Sequence, residues 1–225
     1  MDHAFMHVVH ERLYVSDGFW LKEGRDGFGN RIISGGTEQQ HSTLQYTSSG
    51  VVELTTYCIP DANIHHAFFL PSRLTVPTPA MHALIPVLTG RFLDDCMAIC
   101  HAVHRHITYT PNATTMATTA ADIFIGRQGV CQDYAHLMVT LCRMAGIPAR
   151  YVCGLMQGEG QTHAWVEAHD GNSWYAFDPT NDTAVAFGYI KLAHGRDALD
   201  CPVSRGTYLG ISMQTTSVSV TVSCS

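Results

Sequence analysis

Charge is scarce in this chain. Asp, Glu, Lys and Arg make up only 14% of its 225 residues, and the basic types are the rarer, 13 against 19 acidic, for a formal net charge of −6. So few cations leave no basic footprint of the kind a phosphate backbone requires, and nucleic acid is not expected as a partner. No apolar run reaches the roughly 18 residues that a membrane-spanning helix needs, so no membrane partner is expected either. The N-terminus carries Asp2, His3, His7 and His10 where a secretory signal would have cations followed by an apolar stretch, and no such signal is expected. Internal repeats and low-complexity segments are also missing. Low charge together with 46% apolar residues excludes intrinsic disorder, and the length suits one large domain or two modest ones.

The eight cysteines, at 58, 96, 100, 131, 142, 153, 201 and 224, include no C-x-x-C pair. Without a signal, the expectation is a reduced, cytoplasmic protein whose thiols are mostly small buried hydrophobes. Cys96, Cys100, His101, His104 and His106 lie together, but Cys96, Cys100 and Val103 fall on an apolar stripe. Structural zinc sites draw their ligands from two separated short-spaced pairs. No metal and no cofactor is therefore expected.

Two regions differ in pattern. Residues 1–75 hold short β-favouring segments punctuated by Asp17-Gly18, Asp26-Gly27, Gly29-Asn30, Gly35-Gly36 and Ser48-Ser-Gly50, which reads as a small antiparallel β domain. Prolines 60, 71, 77 and 79 mark a connection over roughly 70–85. From Arg91 apolar residues recur at three- and four-residue steps as far as Ile107, which predicts a helix. Residues 108–119 read mainly as loop. A second stripe runs from Cys131 through Tyr134, Ala135, Met138, Leu141 and Cys142 to Ala145, stopped by Gly146 and Pro148. Strands are expected at 149–154, 162–169, 173–178 and 217–222. The fold class is α+β, with a catalytic unit over 85–225.

Cys131 opens its helix directly after Gly129-Val130. The nearby strand pair admits an arithmetic of register. If Asp170-Gly171 forms a two-residue turn, opposed positions sum to 341 and His163 faces Asp178. A longer Asp-Gly-Asn-Ser loop shifts the sum to 343 and puts Asp178 on a diagonal of the same face. Either way an imidazole and a carboxylate stand beside a thiol at a helix start. Those are the parts of nucleophilic catalysis. The helix N-terminus and an imidazolium favour the thiolate, the carboxylate orients the ring, and first-turn amides face a developing oxyanion.

Four blocks in order carry a family likeness: Gly129-Val-Cys131-Gln-Asp-Tyr-Ala-His-Leu137, Gly146-Ile-Pro-Ala-Arg-Tyr-Val-Cys-Gly154, His163-Ala-Trp-Val-Glu167, and Trp174 with Phe177-Asp-Pro-Thr-Asn181. They resemble the transglutaminase-like core, particularly the transglutaminase-like cysteine proteases of bacteria. Gly195-Arg-Asp197, Pro202 and Arg205-Gly206 are similar to the segment that follows that core, and Asp26-Gly-Phe-Gly-Asn30 to a motif of the N-terminal β domain. The resemblance implies a papain-like fold with Cys131, His163 and Asp178 as triad, acting on a protein or peptide. Relatives that cross-link proteins carry a tryptophan well upstream of the cysteine. Here Trp20 alone precedes Cys131, in another region, and Tyr109 is the substitute candidate for an oxyanion donor. Gln132, Trp165 and Asn181 are further substrate-binding candidates. The expected reaction is amide hydrolysis through a thioester. Amine transfer and a catalytically silent binding module of the same fold are the alternatives, and the oligomeric state is left open.

Overall fold

A computed structural model describes residues 4–210 and 215–224. The chain divides into two compact units, 1–56 and 57–225. The first is built from two antiparallel ribbons, β1 (Met6–Val15) with β4 (Tyr46–Leu54) and β2 (Trp20–Arg25) with β3 (Arg31–Gly36). The turn between β2 and β3 is the Asp26-Gly-Phe-Gly-Asn30 motif. Its Asp26 Oδ1 accepts the amides of Phe28 (2.9 Å) and Asn30 (2.8 Å), which is why the motif closes a turn. Arg31 ties the ribbons together through Glu11 and Glu23.

The second unit starts at Tyr57, earlier than the expected connection. Residues 57–75 pack onto it for a physical reason. β5 (Ile59–Pro60) adds to the edge of the main sheet, and the Phe68 ring meets Trp174 edge-on at 5.4 Å. Two helices, α1 (Phe92–His106) and the short α2 (Ala120–Gly126), flank a central α3 (Cys131–Met144). The sequence reading had no helix at 120–126, though Thr119 and Asp122 cap it reciprocally. Between them β6 (Thr108–Tyr109), in the stretch expected to be loop, runs parallel to β7 (Gln128–Gly129).

The main sheet is antiparallel, in the order β12 (Thr183–Ala184), β11 (Ser173–Asp178), β10 (His163–His169), β8 (Ala149–Met156), β13 (Tyr189–Gly195). The strand expected over 217–222 is shorter: β14 (Val220–Val222) pairs with β9 (Gly158–Gly160). α3 is buried on every side from Asp133 to Arg143, between α1, α2 and the sheet, and not along one stripe only. That placement requires its polar groups to find partners. Arg143 donates to the carbonyls of Phe68, Ala149 and Arg196 and to Thr75 Oγ1, and His136 Nε2 accepts the Ala198 amide at 3.1 Å. Among the described residues, no helix is long and apolar enough to cross a membrane, and no group of three His, Cys, Asp or Glu side chains is placed to hold a metal ion.

Candidate active site

The β10–β11 register decides where Asp178 lies. Glu167 pairs with Ala176 and His169 with Trp174, so opposed positions sum to 343, not to the 341 of a two-residue turn. Asp170 explains the choice, because its Oδ1 accepts the amides of both Asn172 and Ser173 at 2.8 Å and builds a four-residue loop. Carried one step further, the register sets Asp178 across from Trp165, diagonal to His163 and on its face. The diagonal is short enough: His163 Nε2 donates to Asp178 Oδ2 at 2.7 Å.

Asp178 is wholly buried and takes five hydrogen bonds. The amides of Thr180 and Asn181 reach Oδ1 at 2.9 and 3.2 Å, while Asn181 Nδ2 (2.7 Å) and the Tyr189 hydroxyl (2.8 Å) join His163 on Oδ2. Burial opposes its charge, but these donors outweigh it and hold the carboxyl below the usual range. The same logic acts on His163 with the opposite sign. Burial pulls the imidazolium down, yet Asp178 and the nearby Cys131 sulfur raise it from 6.5 to about 9. With Nε2 committed to Asp178, Nδ1 is the ring nitrogen left for another partner.

Cys131 is partly exposed at the first residue of α3. Its turn is fixed by Asp133, whose Oδ2 accepts the Val130 amide (2.8 Å) and the Thr114 hydroxyl (2.7 Å). Gly129 is required beneath it, since a Cβ there would lie 2.6 Å from Asp133 Oδ2. As first-turn amides of α3, those of Cys131 and Gln132 have no carbonyl within the helix to pair with. β6–β7 pairing sets Tyr109 beside Gly129; burial and the charge of Cys131 both raise its phenol.

A cleft of about 590 Å³ adjoins these groups, lined among others by His104, Tyr109, Tyr134, His163, Thr180 and Asn181. Tyr109 and Asn181 are thus at the cleft. Gln132 is partly buried in the first turn of α3 and is not among the lining residues. Trp165 must be corrected: it is 0% exposed and walls no cleft. Its indole stacks on the His163 ring (centroids 6.3 Å apart, 29° between planes) and Nε1 donates to the Tyr57 hydroxyl at 3.1 Å. α1 grips the turn after Asp178, with His101 bonded to Asp182 and His104 Nδ1 donating to the Pro179 carbonyl at 3.1 Å.

The sequence reading missed Tyr189, Tyr57 and a buried ion cluster. Glu167, fully buried, accepts Tyr57 OH (2.5 Å) and Lys191 Nζ (2.7 and 2.8 Å) and pairs with Arg150. Spacing on β13 offered no signal for them, since Ile190 and Leu192 are the apolar alternates and a bulge between Lys191 and Ala193 breaks the period.

Residues 89–179 match the model of the transglutaminase-like superfamily. An uncharacterized protein of Mycobacterium bovis is 34% identical over 220 residues, covering 81% of this chain and 70% of that protein. A protein-glutamine gamma-glutamyltransferase of Pseudomonas aeruginosa is 34% identical over 147 residues, covering 57% of this chain and 21% of that enzyme. The crystal structure of a candidate cysteine protease from Cytophaga hutchinsonii superposes with a TM-score of 0.74 at 27% identity, over 90% of this chain and 75% of that one. Sequence blocks, helix-on-sheet architecture and these likenesses agree, and the chain belongs to the transglutaminase-like superfamily.

Proposed function

We propose that the chain is a thiol-dependent acyl-transfer enzyme that hydrolyses an amide or peptide bond. One observation carries the reading: Cys131 opens α3 near enough to His163 for its sulfur to raise the imidazole, while Asp178 bonds the ring at Nε2. The Cys131 thiolate attacks the carbonyl carbon, and the carbonyl π pair moves onto oxygen. The first-turn amides and the Tyr109 hydroxyl face that oxyanion. As the tetrahedral species collapses, His163 gives its proton to the departing amine and a thioester remains. Water then attacks with His163 as base, the thiol leaves, and the acid product departs. The likeness to a candidate cysteine protease supports hydrolysis.

The test is incubation with a peptide library followed by mass spectrometry. An acyl adduct on Cys131 and cleaved or deamidated peptides, both absent in Cys131→Ala, are the expected result. The same incubation with a labelled primary amine separates the rival reaction. Label fixed on the peptide would replace hydrolysis by amine transfer, and no Cys131-dependent change in any peptide would overturn the enzyme reading.

A further inference from the structure

We propose that Tyr189 is a positioning residue for the His163–Asp178 pair, donating to the carboxylate oxygen that faces the imidazole and so limiting how tightly His163 holds its proton. Its catalytic meaning rests on the thiol-enzyme reading above.

Three donors converge on Asp178 Oδ2: His163 Nε2 at 2.7 Å, Asn181 Nδ2 at 2.7 Å and the Tyr189 hydroxyl at 2.8 Å. A carboxylate that spends charge on several donors is a weaker base toward each of them. That matters because the proposed relay asks two opposite things of His163. It must be cationic to stabilise the thiolate, and acidic enough to protonate a leaving amine. Tyr189 is fixed for the task. β13 registers it opposite Met156, its ring packs edge-on against Trp165 at 5.4 Å and lies 6.1 Å from His163, and it is 8% exposed. It lies beyond the segment matched by the family model, so the core motifs do not include it.

The other ionisable groups near the pair come from α3, α1 and β6, the last through Tyr109, which lines the cleft with His163. α3 contributes Cys131. α1 contributes Cys100, kept neutral by burial and by the charges of Asp182 and Asp178, and His101, which binds Asp182 in the turn after β11. Burial and the adjacent carboxylate push the Tyr189 phenol well up, so it stays a donor at any working pH.

The experiment follows the His163 ring by nitrogen-15 NMR titration in the full chain, with iodoacetamide alkylation of Cys131 against pH in parallel. Tyr189→Phe keeps the ring and removes the donor. The His163 midpoint is expected to move up by about half a unit, with the alkaline limb of alkylation following it. A midpoint that stays or moves down overturns the proposal, and a purely structural role would lower thermal stability without that upward shift. Site-specific 3-fluorotyrosine at 189, a stronger donor of nearly the same shape, gives the opposite sign. The midpoint should fall, and an unmoved or raised midpoint again overturns it. The ring titration needs no substrate. If wild-type Cys131 proves no more reactive below pH 8 than the exposed Cys224, the thiol-enzyme reading fails while the NMR shift still decides the role of Tyr189.

Discussion

At Asp178, one buried carboxylate decides the behaviour of two other groups. Its hydrogen bonds keep it ionised, and the ionised form keeps the His163 midpoint near 9. Because that value is raised above the unfolded 6.5, the stabilisation it brings is complete below pH 6.5 and is lost as pH climbs through about 9. Activity measured as kcat/KM should fall over the same alkaline window, which a pH–rate profile will show. Asp178→Asn keeps the shape and removes the charge. It should drop the His163 midpoint and slow turnover by about a thousandfold, read by ring titration and steady-state kinetics.

The elements around the site are held by groups whose partners lie far away in sequence. Tyr57, Trp165, Glu167, Arg150 and Lys191 form one buried network, and removing its carboxylate strands two cations. Glu167→Ala should cost about 3–5 kcal/mol in urea unfolding. Gly154 on β8 leaves room for the Trp165 ring. A Cβ there would lie 2.3 Å from both that ring and the Ile190 carbonyl oxygen, so one backbone and one locked side chain would have to give. Gly154→Ala should destabilise by about 1–3 kcal/mol and shift the indole off His163, visible as altered tryptophan fluorescence.

These elements also separate what the chain order made legible from what it hid. α3 announced itself through a period of 3.6 and the β10–β11 pair through two short segments either side of Asp170-Gly171, and the cysteine at the start of one and the His/Asp pair on the other followed from spacing. The register did not, because it turns on whether the Asp170 side chain or a glycine dipeptide sets the loop. Tyr57 stayed hidden because it bonds to Glu167 across 110 positions. Trp165 was misread because alternation gives its face and says nothing of whether that face is covered.

On the scale of the molecule, every group of the proposed chemistry lies within 57–225. A fragment beginning at Tyr57 should therefore retain rapid Cys131 alkylation. One beginning at residue 62 loses the Tyr57 hydroxyl and the β5 edge strand, and should unfold at a lower temperature, as calorimetry of the two fragments will show. The far end of the chain has a practical bearing as well. β14 is zipped to β9, in the segment that runs from the cleft residue Met156 to His163. Any substitution that unzips β14 from β9 would therefore free the stretch that leads from the cleft to the imidazole.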